Sequence, residues 1–221
     1  MILDKTSLMK TVDQVNDLLL AGEEIPTGEG LKAARWISSR QGSKGAYRTL
    51  YAPTEEDFQN GIHNFVGDKL TSASARHVLG QEAAVVVWLQ GRQNSEIRSN
   101  YNRAIAWMRN HEGFQETGTF CCGRCTPAFW RHYWMGDFEH KEESLVRGLK
   151  ALYNARDGKG RWGRYAFHYT LYALLDIDLE QAYQELKYAR PAMERSIKVL
   201  RSDTFSNRRR MIMEKAMERV N

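Results

Sequence analysis

The richest chemistry in the chain lies in FCCGRCTPAFWRHYWMGDFEH, residues 120–140. All three cysteines are there: Cys121, Cys122 and Cys125. Their odd number and tight spacing exclude a disulfide framework. Cys122-x-x-Cys125 precedes Thr126 and Pro127, which open a helix with proline at its first position, where the missing N–H costs nothing. A thiol at that end of a helix is stabilised as thiolate by the helix dipole, which favours nucleophilic or redox chemistry. Alternatively, Cys122 and Cys125 are metal ligands. Zinc is then the fitting ion, and His132, His140 or His168 would complete the set. No second ligand pair follows at regular spacing, and a thioredoxin-type site needs a βαβ setting. A third reading therefore stands beside these two: small, buried thiols in a tight inter-helix loop.

A second candidate locus is RWGRYAFH, residues 161–168. Arg161, Arg164 and His168, with Trp162 and Tyr165 among them, have the composition of an anion or polar-ligand site, and Asp157 is placed to orient Arg161 or Arg164. His132 and Trp134 complete the candidate ligand-binding set. The surrounding aromatics, Phe129, Trp130, Tyr133, Phe167, Tyr169 and Tyr172, recur at helical spacing and are read as core. His77 and Gln81 stand one turn apart on another helix, where a hydrogen-bonded core pair is expected.

The elements that must hold these residues read as helices throughout, and no alternating strand pattern is present. Thr6 or Ser7 opens an amphipathic stretch closed by Gly22, and Leu31–Arg40 follows. Thr54 with Asp57 forms a capping-box pattern opening Glu55–Val66. Ser72 or Ser74 opens a long apolar helix to Gln90, and Ser95 opens one to Asn110. Further helices are expected over Glu139–Asp157 and Ala166–Leu175. Another starts from an Asp178 cap and breaks or kinks near Pro191, and the last covers Asn207–Val220. The fold class is all-α.

Three segments align: residues 33–48, 104–120 and 149–165. Each ends a helix, passes through a polar loop and reaches Gly-x-aromatic: Gly45-Ala46-Tyr47, Gly118-Thr119-Phe120 and Gly160-Arg161-Trp162. Each is followed by a further apolar helix, so the pattern is one of stacked αα-hairpin repeats. Gln41-x-x-x-Gly45-x-Tyr47 and Arg156-x-x-x-Gly160-x-Trp162 are similar to the Gln-x-x-x-Gly-x-Trp repeat of triterpene cyclases. Over residues 30–180 the chain thus resembles the α/α-toroid superfamily of terpenoid cyclases and protein prenyltransferases. The resemblance implies a partial toroid or open helical superhelix. It also implies a ligand site on the concave face, where cyclases use aromatic faces to stabilise cations. It brings no catalytic residue with it. The hopene-type Asp-x-Asp-Asp cluster has only Asp176-Ile177-Asp178-Leu179 as its counterpart, and the zinc set of the prenyltransferases has none. Whether the protein is an enzyme, and of which reaction, is not legible.

Composition narrows the classes further. The chain has 221 residues, 42% hydrophobic and 27% charged, which is globular. No apolar run approaches a membrane span, and the first residues lack a signal-peptide pattern, so a cytoplasmic protein is expected. Net charge is +5, but residues 187–221 carry ten basic and four acidic side chains, net +6. The expected organisation is a hairpin-repeat domain over 1–186, with repeat loops near 41–47, 111–120 and 156–162, and a basic helical extension over 187–221 packed on it. The expected partners are a small apolar or anionic molecule and a second copy of the chain. The competing reading is a non-catalytic module that docks protein or nucleic acid through the basic C-terminal helix.

Overall fold

The computed structural model describes residues 2–221, and among them the chain is all-helical. Isolated bridges at Gln41–Tyr51, His63–Lys69 and Arg156–Trp162 are the β-type pairings present. The chain divides between Asn110 and His111 into two compact units. No helix among the described residues is long and apolar enough to cross a membrane.

The first unit contains α1 (Leu8–Ala21), α2 (Thr27–Ser38), α3 (Glu55–Asn60), α4 (Ser72–Gly91) and α5 (Ser95–Arg109). Ser7 caps α1 by accepting the Lys10 N–H at 3.0 Å, and Gly22 closes it in the left-handed conformation. From Val78 to Val87 every residue of α4 is buried. A helix apolar on all sides needs neighbours on all sides, and α1, α2 and α5 all pack against it. The polar residues it buries bond within the unit: Asn16 donates to Glu82 at 3.0 Å, and the Gln81 amide and His77 Nε2 meet at 3.2 Å. The capping box at Thr54 and Asp57 forms as expected, and the same buried Asp57 carboxylate accepts the backbone N–H groups of Leu8 and Met9 and the Ser7 hydroxyl. One carboxylate thus ties the starts of α1 and α3 together.

The second unit contains α6 (Glu112–Thr117), α7 (Thr126–Met135), α8 (Lys141–Tyr153), α9 (Phe167–Asp176), α10 (Glu180–Ile197) and α11 (Thr204–Arg219). Here α7 packs on α9 and α9 on α11, while α8 packs on both α7 and α10, and α10 on α11. Residues 187–221 belong to this unit: Ile212, Met213 and Ala216 of α11 are buried where it meets α9 and α10.

Several boundaries differ from expectation, each for a local reason. The helix from Glu55 stops at Asn60, because Gly61 turns the chain at φ 80° and Asn64 and Asp68 then bond each other's groups in a closed loop. Asn94, not Ser95, caps α5 by accepting the Ile97 N–H. Asp178 does not cap α10; it pairs with Arg219 instead, and Leu179 takes the cap position. α10 runs through Pro191 without ending. Proline removes one backbone donor, and burial of Ala189, Ala192 and Met193 on either side holds the helix. α6 was not anticipated. Its cap is the His111 ring, whose Nδ1 accepts the Phe114 N–H.

Candidate functional site

All three repeat glycines, Gly45, Gly118 and Gly160, have positive φ. At Gly118 the requirement is also one of space: a Cβ there would collide with the Gly148 and Ser144 backbone of α8. The Gly118 carbonyl accepts the buried Trp130 indole N–H at 2.6 Å. This contact sets α7 and launches the thiol loop from a fixed point.

Thr126 clamps that loop. Its hydroxyl accepts the Phe120 N–H at 3.0 Å and lies 2.7 and 2.8 Å from the Phe120 and Cys122 carbonyls. The Cys122 carbonyl also accepts the N–H groups of Cys125 and Thr126. Cys121 sits at φ 51°, a conformation uncommon outside glycine and asparagine. The three sulfurs lie within 4.8 Å of one another, with Cys121 and Cys122 exposed and Cys125 buried. No histidine or carboxylate joins the group among the described residues. Burial pushes the Cys125 thiol up, and the neighbouring Cys122 adds to it. Burial acts in the same direction on Cys122, but the backbone N–H groups of Cys125 and Arg124 outweigh it with help from the two other thiols, and its net direction is down.

The thiol loop rests on the second candidate locus. Gly123 packs so tightly on the Arg164 carbonyl that a Cβ would overlap it. The loop over 156–162 closes through the Arg156–Trp162 bridge and is held by Glu185 of α10. This buried carboxylate accepts the Trp162 indole N–H at 2.8 Å and two bonds from the Arg156 guanidinium at 3.0 and 3.1 Å. Asp157 holds the backbone N–H groups of Lys159 and Arg161, together with the Tyr188 hydroxyl, and makes no bond to the guanidinium of Arg161 or Arg164.

Arg161 is exposed, with its guanidinium 4.3 Å from the Phe167 ring centroid. His168 is half-buried near the start of α9, its Nε2 3.2 Å from the Ser196 hydroxyl of α10. Arg195 donates to the Lys159 carbonyl at 2.6 Å. Neither Arg161 nor Arg195 has an acidic partner among the described residues. α9 begins at Phe167 with no side-chain cap. Burial, followed by the cations Arg209 and Arg161, lowers His168 to about 4.

That depression has a consequence for stability. Below pH 6.5 the unfolded chain takes a proton on this histidine that the folded chain refuses down to about pH 4. Its contribution is therefore fully present above pH 6.5 and lost as pH falls through that window, by up to about 3 kcal/mol. Urea unfolding at pH 7 and pH 4.5 checks it. His168→Gln should lose less stability between the two than the parent chain, and equal losses would show that the histidine does not contribute.

The other sequence candidates lie elsewhere in the second unit. His132 is fully buried on α7 with its ring edge-on to Phe138 at 5.4 Å. Trp134 lies under Lys141, whose Nζ is 5.1 Å from the ring centroid and bonds the Trp134 carbonyl. Trp162 is buried on Glu185, and Tyr165 is buried against Trp130 at 5.6 Å, while Arg164 bonds the Tyr165 hydroxyl. Phe114, Phe120, Phe129, Tyr133 and Phe138 stack as core, with centroids 4.2 to 4.9 Å apart at the closest pairs. Asp176 pairs with the buried Arg131, so both acids of Asp176-Ile177-Asp178 are ion-paired. Of the basic C-terminal residues, Arg190 pairs with Glu194, Arg208 is buried beside Phe205, and Arg219 bonds the Leu175 and Ile177 carbonyls.

Cys121, Lys159, Arg195 and Ser196 were not among the candidates from sequence, and Arg209 was read only as part of the basic C-terminal helix. Adjacency to Cys122 was the available signal for Cys121. α10 brings Ser196 to His168 and Arg195 to the Lys159 carbonyl, α11 brings Arg209 toward His168, and nothing in their local sequence shows it.

Compared with family models, with curated proteins and with solved structures, the chain matches none.

Proposed function

We propose that this protein binds a small oxyanion, such as a phosphate ester or carboxylate, where the 156–162 loop meets α9, α10 and α11. The single observation that carries the proposal is the pair of guanidinium groups without acidic partners at this loop: Arg161, whose charge acts on His168, and Arg195, which bonds the Lys159 carbonyl. Cations left unneutralised near a half-buried imidazole form a field suited to an anion. Arg209 adds to the positive charge at His168, and Asp203, which caps α11, is held down in part by the same Arg209 charge after its bonds to Ser206.

The scaffold in this proposal is the αα-hairpin stack of the toroid type. Support for it comes from the alternation in the second unit, where α7, α9 and α11 pack in sequence while α8 and α10 pack behind them. The positive-φ repeat glycines at the hairpin loops add to that support.

Thermal unfolding of the full chain in inorganic phosphate and pyrophosphate tests the binding site, with chloride at matched ionic strength as the reference. The expected result is a saturable rise in Tm for the parent. Arg161→Gln and Arg195→Gln, both at exposed positions, should each weaken phosphate binding roughly tenfold, the value of one charge-assisted contact. A Tm that follows ionic strength alone, or variants that respond as the parent does, would remove the proposal.

A further inference from the structure

We propose that Cys121, Cys122 and Cys125 form a three-thiolate site for a thiophilic d10 cation, zinc(II) first among them, with one coordination position left to an exogenous ligand. The cluster shares no residue with the anion locus, and its three sulfurs already lie within 4.8 Å of one another. Tetrahedral zinc with Zn–S bonds of about 2.3 Å requires sulfurs about 3.8 Å apart, so closing the site takes about 1 Å of side-chain movement. The backbone that carries them is already in place. Thr126 ties Phe120 and Cys122 to the start of α7, Gly123 is pinned on the Arg164 carbonyl, and Cys121 takes the left-handed turn.

Composition of the cluster decides the class of ion. Three sulfur donors select soft or borderline cations over magnesium or calcium, which require oxygen. With no histidine or carboxylate in the group, the fourth ligand must come from solvent or from another molecule, and exposure of Cys121 and Cys122 leaves it an approach. Each thiol gives up its proton to the buffer as it binds, so the loaded site carries three thiolates against two positive charges. The N-terminus of α7 and Arg124, exposed within the loop, offset the remaining negative charge. A purely packing role explains the buried Cys125; it does not explain two further cysteines at the surface beside it.

The test uses the full reduced chain, freed of metal and titrated under argon with cobalt(II), then with zinc(II). One equivalent of cobalt should produce a sulfur-to-cobalt charge-transfer band and the visible absorption of a tetrahedral site, both bleached by one equivalent of zinc. Added 2-mercaptoethanol should shift the visible bands by taking the open position. Cys121→Ser and Cys122→Ser, both at exposed positions, should each weaken cobalt binding roughly 100-fold with unchanged far-ultraviolet circular dichroism. Absence of the charge-transfer band, or cobalt binding by Cys121→Ser as tight as the parent's, would overturn the site. Visible bands insensitive to the added thiol would overturn the open fourth position. Zinc-loaded protein that goes on to form a Cys122–Cys125 disulfide in air would show the pair to be redox groups instead.

Discussion

Gly118→Ala is expected to destabilise the second unit by about 4 kcal/mol. Two costs add. Gly118 sits at φ 65°, where any side chain is disfavoured by about 1 kcal/mol. Its Cβ would also enter the backbone of α8 at Ser144 and Gly148, which cannot rotate away as a flexible side chain would. Relieving the overlap moves α6 from α8 and stretches the Trp130 bond to the Gly118 carbonyl, so the thiol loop loses its fixed start. Urea unfolding with an unchanged m-value is the measurement, and hydrogen exchange should show the loss in α6, α7 and α8. Gly148→Ala, whose Cβ would meet the Gly118 carbonyl and the Trp130 indole, should behave similarly, and the double variant should cost less than the sum because the two sites touch. A Gly118→Ala chain within 1 kcal/mol of the parent would mean that the α6–α8 approach is not rigid.

Glu185→Ala should cost about 3 kcal/mol and loosen the loop that presents Arg161. The carboxylate is 2% exposed and satisfies two partners at once, the Trp162 indole and the Arg156 guanidinium. Removing it leaves a buried N–H and a largely buried cation without their acceptor, and that penalty exceeds the net worth of the bonds themselves. Glu185→Gln keeps an oxygen for one partner and should fall between alanine and the parent. In phosphate, Glu185→Ala should bind more weakly than its loss of stability alone explains, because the 156–162 loop carries Arg161 and Lys159. Full retention of stability in Glu185→Ala would show that water replaces the carboxylate without cost.

The reversal at Asp178 shows where local signals fail. Asp178, two residues before Glu180, has the composition of a helix cap, yet Arg219, forty-one residues later, claims the carboxylate. A cap and an ion pair compete for the same oxygens, and only the packing of α11 on α9 decides between them. Thr54 and Asp57, by contrast, form their capping box as the spacing predicts, because both partners belong to the same turn. The short reach of the helix after Glu55 has the same logic: Asn60-Gly61 is a stop signal within three residues of the turn it makes.

Helical class, most helix starts and stops and the Cys122-x-x-Cys125 placement ahead of α7 follow from the sequence, because each depends on interactions within about four residues along the chain. The candidate sites do not. Cys121 enters the thiol cluster through its positive φ, Ser196 and Arg209 come to His168 from α10 and α11, and Arg195 comes from α10 to the Lys159 carbonyl. His132 and Trp162, polar enough to suggest ligand contacts, are drawn into the core by Phe138 and Glu185. Tertiary packing decided which cations remain unpaired and which polar groups are spent on structure. Both depend on distances between helices, and burial of the apolar faces sets those distances, a balance to which every element contributes and which no local pattern records.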